Sequence, residues 1–414
     1  MNRLLALINI VCCSIWTGCS SVNIKTLDEC PVVIQTETIA GHPLTVCDQK
    51  LLNDTLQIPL SLLAENLEII HFDNREEALM GEHQVVLSDN YMLVWHSDVQ
   101  PAKLFDRKGK FLTTIGAKGQ GPGEYRTIYD VQIDEANNRI YMLPWSVGQL
   151  LVYDLQGNVL PSIPLCLNIP KGKLWINAKD SLIAVFALPF PNVPAVAWTQ
   201  DLKGERKNYI EAGPLTAYDY NSEVYAGCNM DGIYDCMLKY SLPTRKDTLY
   251  HYDFHHNVLI PHFTMTFTTT NPIPNHDYFE LPHHFLGTTA ENIQISKNIF
   301  GTTNHKHFII DKATGKGAYM HLVNDFLGNE ELSLTSFDGN FPPYPNFRNG
   351  YYILNQDPGN LRDRLEKSRN LRDRLEKSMK TGKLSPEQKE KVTRLLNSVN
   401  ENDNNLLFLA KLKQ

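Results

Sequence analysis

The sequence predicts an all-β protein, a six-bladed β-propeller with a small helical insertion near the C-terminus. Three observations lead there. From about Leu56 to Tyr352, short runs rich in Val, Ile, Tyr and Phe alternate with Asp-, Asn- and Gly-containing turns. One hairpin recurs at an offset of 48 residues. A single charged stretch, residues 359–400, interrupts the strand pattern.

The chain opens with Arg3 and then the thirteen largely apolar residues Leu4 to Trp16. That is too short for the roughly 20 helical residues a bilayer requires, and it has the form of a secretory signal peptide. Thr17 and Gly18 are small, and Cys19 follows with Ser20 and Ser21. Small residues ahead of such a cysteine resemble the bacterial lipobox, in which the thiol is acylated. Trp16 departs from that pattern, where a Leu-like residue is usual. The expectation is residues 1–18 as a lipoprotein signal peptide, Cys19 as the lipidation site, 19–50 as a tether and lead-in, and 51–414 as the propeller. No other segment is apolar for 18 residues. The formal net charge is −7, which gives no electrostatic reason to bind nucleic acid or acidic lipid.

The hairpins read clearly. Gln84 to Trp95, Ala102 to Leu112, Val131 to Leu143 and Gln149 to Leu160 each hold two strands around a polar tip, where Asp, Asn and Gly supply the turn conformations. Leu104 to Leu112 (LFDRKGKFL) matches Val152 to Leu160 (VYDLQGNVL). One strand–turn–strand unit lies between them, so each period holds four strands, the mark of propeller blades. Ala197 to Lys207 and Phe308 to Tyr319 are degenerate copies.

Phe105 to Tyr125 (FDRKGKFLTTIGAKGQGPGEY) resembles the NHL-repeat signature. Residues 19–414 as a whole resemble the six-bladed propeller lipoproteins of Bacteroides-type bacteria. Cys19, the segment from Ile58 to Trp95, Asp247-Thr248-Leu249-Tyr250, Asn324-Asp325 and the closing run Asn402 to Lys413 carry that likeness. The family pattern usually has Pro where Asn405 stands. The resemblance implies fold and export and supplies no general catalytic motif.

Gly116, Gly119, Gly121 and Gly123 around Pro122 suggest a phosphate cradle, yet no Lys-Ser or Lys-Thr and no helix follow. A blade-to-blade connection is the expectation, with Glu124 and Tyr125 bonding and packing against the next blade. Nine of the fourteen histidines fall between His251 and His307: His251, His255, His256, His262, His276, His283, His284, His305 and His307. Imidazoles at a propeller axis can bind a divalent metal. Their spacing matches no metal motif, so loop and surface positions are the expectation. Beyond the signal and Cys19, five cysteines remain. Cys30 with Cys47 and Cys228 with Cys236 are possible bridges, although a chain this long needs no staples and plain buried thiols are expected. No CxxC, no Gly-x-Ser-x-Gly elbow and no catalytic constellation is present.

In the insertion, NLRDRLEKS at 360–368 repeats at 370–378. Leu361, Leu365, Leu371, Leu375 and Met379 would form one apolar stripe on a helix. Ser385-Pro386-Glu387-Gln388 is a helix start, and Val392, Leu395, Leu396 and Val399 make the second apolar face. Such a hairpin leaves the strand Gly350 to Asn355, returns to Leu406 to Leu412, and packs over the propeller by its stripes. A ring of blades must close or leave two sheet edges unpaired. Leu406 to Leu412 is therefore expected to complete a blade with N-terminal or Tyr351-region strands.

The function expected is binding rather than catalysis: an exported, lipid-anchored ligand- or protein-binding scaffold of the cell envelope. It would sit on the outer membrane, facing periplasm or surface, and touch the membrane through its anchor only. Its partner would be a peptide, a glycan or an envelope protein, with no nucleic acid and no cofactor. The alternative is an NHL-like metal-dependent lyase or lactonase, with Ca or Zn in the central channel.

Overall fold

In the computed structural model of the 414-residue chain, the described residues are 25–414 except 82, 97–99, 178, 242–243, 297–298, 328–329, 333–345, 367–372, 374–375, 378 and 381–385. The signal segment, Cys19, the second NLRDRLEKS copy in large part and Ser385 lie outside them.

Six antiparallel sheets form the blades. Blade 1 runs Gln84–Leu87, Tyr91–Trp95, Ala102–Asp106, Phe111–Ile115 from the axis outwards. Blade 2 has inner strand Ile128–Asp134 and outer strand Val159–Pro164, and blade 3 runs from Gly172–Asn177 to Arg206–Glu211. Blade 4 runs from Glu223–Tyr225 to Val258–Thr266, and blade 5 begins at Asn275–Glu280. Blade 6 is built from both ends of the chain: Asn346–Arg348, Tyr351–Gln356, Leu406–Leu412 and, outermost, Ala64–His71. The expected ring closure is thus present, with Leu406 opposite both His71 and Gln356.

The hairpin repeat has a local cause. Asp106 Oδ1 accepts from Lys108 N and Lys110 N at 2.8 and 3.0 Å, and Asp154 Oδ1 accepts from Gln156 N and Asn158 N at 3.0 and 2.8 Å. Asp201 does the same with Lys203 N and Glu205 N, both at 2.9 Å. The glycine that follows sits at φ +87°, +88° and +86° in the three turns (Gly109, Gly157, Gly204), a region where a Cβ is penalised. Carboxylate and glycine together fix the turn, and the turn fixes the register of the strands beside it.

Blades pack face to face through interleaved aliphatic and aromatic side chains. Leu93, Trp95, Leu104 and Ile115 of blade 1 share one cluster with Val131, Ile140, Met142 and Tyr153 of blade 2. The Gly-Pro-Gly stretch is the connection between these blades. The Tyr125 hydroxyl accepts from Ala102 N at 2.8 Å and donates to Ile115 O at 3.0 Å, and Tyr153 donates to Gly123 O at 2.8 Å. Glu124 folds back on its own loop, accepting from Gly121 N at 2.8 Å.

The stretch 19–50, read from sequence as a lead-in, supplies two strands from Ile34 onwards. Ile34–Ile39 pairs with His42–Asp48, which lies parallel to Val258–Thr266 on the edge of blade 4. Thr55–Pro59 then runs parallel to Gly317–Asn324 of blade 5. Residues 34–71 therefore form a strap over three successive blades.

The insertion between Tyr351–Gln356 and Leu406–Leu412 holds the helices Pro358–Glu366 and Pro386–Ser398. Leu361, Val392 and Leu395 are buried with Phe326, Leu327 and Leu406, and Met379, Leu396 and Val399 pack against them. The second apolar face thus lies on the propeller as expected, while of the first stripe Leu371, Leu375 and the side chain of Leu365 lie outside what is described. Cys30, Cys47 and Cys236 are buried, Cys166 and Cys228 half-buried, and all five are free thiols.

Candidate functional site

The six inner strands enclose a cavity of about 620 Å³ along the axis. Its wall is charged at places where charge is normally excluded, and most of these charges have a partner from another blade. The exception is buried Asp235, which accepts from Cys228 N of its own blade and whose pKa burial pushes up to about 6. Asp130, on the inner strand of blade 2, is fully buried. Its Oδ1 accepts from Arg348 Nη2 of blade 6 at 2.9 Å, its Oδ2 accepts from Leu174 N of blade 3 at 2.9 Å, and Lys173 Nζ stands 3.8 Å away. Burial pushes the Lys173 pKa down, against the pull of Asp130. For Arg348 the same burial is outweighed by Asp130, and its pKa rises. Further out, Lys171 donates to Tyr220 O and Ser222 O at 2.7 and 2.8 Å and pairs with Glu223, which also accepts from the Tyr129 hydroxyl. Burial first, and then Glu223, holds that phenol far above its usual pKa. Lys239 and Asp277 pair at 2.9 Å.

The two ends differ. Where the inner strands begin, aromatic rings stand at the mouth: Trp145 is 37% exposed and Tyr220 62% exposed. Tyr129 lies 6.1 Å from Trp145, and Phe190 stacks on Tyr220 at 4.5 Å. Where the inner strands end, buried Asn229 pins its loop across the axis. Its Nδ2 donates to Glu280 O of blade 5 and Phe347 O of blade 6, both at 3.0 Å, and its Oδ1 accepts from Gly350 N at 3.3 Å.

The histidines separate into classes, and the loop-and-surface expectation holds for only part of them. His255, His256 and His283 are exposed. His276 and His284 are buried, and His276 and His305 line the cavity. His251 and His262 converge on Glu280 at the seam of blades 4 and 5. That convergence was illegible because the three residues stand on three strands of two blades. Adjacent pairs such as His283-His284 do point to opposite faces, which explains the exposed and buried members.

His276 faces Asp247, with Nε2 and Oδ2 3.6 Å apart and both groups nearly inaccessible. Burial pushes the Asp247 pKa up to about 8, against its bond from Tyr240 N and the charges of Arg245 and Lys239. Burial pushes His276 down to about 4, against its bond to Pro274 O and the charge of Asp277. The pair therefore keeps one proton up to about pH 8. In the unfolded chain a carboxyl ionises near 3.9 and an imidazole near 6.5. The folded state binds the extra proton between about pH 6.5 and 8, so stability falls as pH rises through that window, by about 2 kcal/mol. Asp247→Asn should flatten the fall when urea midpoints are compared at pH 6 and 8.5. An unchanged slope in that variant would assign the effect to other groups.

Among solved structures, the fold is similar to that of a Bacteroides fragilis protein described as exported. Identity is 15%, the TM-score is 0.56, and the match covers 90% of this chain and 100% of that one. A Bacteroides vulgatus member of the DUF4221 family shares 11% identity (TM-score 0.40, 85% of this chain, 97% of that one). Hydrazine synthase of Kuenenia stuttgartiensis shares 14% (TM-score 0.42, 72% and 82%). These likenesses concern fold. No curated protein matches the chain. Residues 44–411 match the family described as a domain of unknown function, DUF4934, and the chain belongs to that family.

Proposed function

We propose that the protein is an exported, lipid-anchored binding propeller that holds a glycan at the mouth of its axial cavity. The observation that carries this reading is the mouth itself. Trp145 and Tyr220 offer flat apolar faces beside the Lys171–Glu223 pair and Tyr129, at the rim of a cavity of about 620 Å³. A sugar ring has an apolar face for stacking and hydroxyls for such a pair, and ligand sites commonly combine apolar lining with a few placed polar groups. Binding is favoured over lyase or lactonase chemistry because Asp130, Glu223 and Asp277 are each matched to a cation, and Asp235, the lining carboxylate without one, is buried and held by Cys228 N. A carboxylate engaged in this way is a poor general base. Export and the anchor rest on the segment before Cys19, and the Bacteroides fragilis protein of similar fold is described as exported. No helix of the described residues is long and apolar enough to cross a membrane.

The test is a glycan array followed by calorimetry on the purified protein. Trp145→Ala should weaken the selected glycan about tenfold or more, which is about 1.4 kcal/mol, with thermal melting unchanged because the ring is partly exposed. An array without a hit, or a hit indifferent to Trp145→Ala and Tyr220→Ala, rejects the glycan reading. Metabolic labelling with a fatty acid, lost in Cys19→Ala, tests the anchor.

A further inference from the structure

The seam between blades 4 and 5 carries a second site, independent of the axial cavity and of the glycan reading. His251 belongs to the strand Thr248–Asp253 and His262 to its neighbour Val258–Thr266. His251 is paired with Ile260, and His262 is the extra residue of the β-bulge between the Tyr250–Pro261 and Leu249–Phe263 pairs. The two imidazoles stack with centroids 3.8 Å apart and planes at 25°. Both aim Nε2 at one carboxylate: His251 Nε2 is 2.6 Å from Glu280 Oε2, and His262 Nε2 is 2.9 Å from Oε1. The three ligand atoms lie within 4.8 Å of one another.

The carboxylate is held from behind. The Glu280 side chain is 1% exposed, its carbonyl accepts from Asn229 Nδ2, and Lys312 Nζ sits 2.7 Å from Oε1 and donates to Leu281 O at 3.2 Å. Lys312 occupies one oxygen and leaves Oε2 for a further partner. The imidazole side chains are 19% and 29% exposed, so solvent reaches them in part. Two neutral imidazoles and one carboxylate are the ligand set of open zinc sites, and among first-row ions they suit the later transition metals rather than Ca²⁺. Bonds of 2.0–2.2 Å in a tetrahedron place ligand atoms about 3.3 Å apart, so the 2.6 Å contact between His251 Nε2 and Glu280 Oε2 opens by about 0.7 Å to admit the ion.

We propose that His251 Nε2, His262 Nε2 and Glu280 Oε2 bind one Zn²⁺ ion, with water in the fourth position. The site lies at the blade seam, away from the axis at which sequence reasoning looked for a metal.

The test uses the purified protein, stripped with a chelator and titrated with Zn²⁺ alone. One equivalent should bind, with the melting temperature rising as zinc is added. His251→Ala and His262→Ala should each weaken binding about a hundredfold or more, while His256→Ala, at an exposed histidine, should not change it. Co²⁺ added to the unsubstituted protein should give the visible absorption of a tetrahedral ion, a readout that does not depend on the variants folding. Absence of saturable Zn²⁺ binding together with a colourless Co²⁺ titration overturns the site. So does stoichiometric binding retained by the double variant His251→Ala/His262→Ala.

Discussion

Removing residues 404–414 should abolish the folded state. The deletion takes away Leu406–Leu412, the strand between Tyr351–Gln356 and Ala64–His71, and so splits blade 6 into two unpaired edges. Leu406, Leu407, Phe408, Leu409 and Leu412 are all at most 4% exposed. Burying such a side chain contributes about 1.5–3 kcal/mol, so the five together contribute on the order of 10 kcal/mol, comparable to the whole stability of an ordinary domain. Asn404 goes with them. Its Nδ2 donates to Asp73 O and Ala78 O at 2.9 and 2.8 Å, and its Oδ1 accepts from Met80 N at 3.2 Å. The truncated chain should show no cooperative melt by near-ultraviolet circular dichroism. A melting temperature equal to that of the full chain would rule out ring closure by this strand.

Arg348→Ala should be the most damaging single substitution in the axial cavity, at about 3–5 kcal/mol, the usual consequence of leaving one member of a buried ion pair alone. Asp130 would lose its 2.9 Å partner in a fully buried position, with only Lys173 at 3.8 Å and the Leu174 amide remaining. The double variant Arg348→Met/Asp130→Asn should recover part of the loss, because a neutral amide can still accept from Leu174 N and no carboxylate stays buried without its guanidinium, while Lys173 loses the pull of Asp130. Urea midpoints of the two variants give the comparison. A loss below about 1 kcal/mol for Arg348→Ala would mean that water reaches Asp130 and the pair is not structural.

How much of this was legible follows from how far each feature reaches along the chain. The blades were readable because Asp106 and Gly109, or Asp154 and Gly157, settle a hairpin within four residues. The closing strand and the inserted helices were readable because an open ring and an apolar stripe each require one partner. The Asp130–Arg348 pair joins residues 218 positions apart and carries no local pattern. His251, His262 and Glu280 come together through a β-bulge and a seam between blades, and neither leaves a spacing motif. The strap was missed for another reason: a strand on a sheet's outer edge needs few apolar residues, and Ile34–Ile39 is largely exposed.

That strap also bears on the order of events during synthesis. His42–Asp48 has its partner in Val258–Thr266, Thr55–Pro59 in Gly317–Asn324, and Ala64–His71 in Leu406–Leu412. Each segment made first must wait for one made more than two hundred residues later. At about 5–20 residues per second, the wait is roughly 10 to 70 seconds. During that time blades 1 to 3 can form from contacts near in sequence, while the first strands stay open to proteases and to unfolded-chain binders. Leu406–Leu412 releases the earlier strand Ala64–His71 from that exposure, so the folding of this ring is timed by its closing strand.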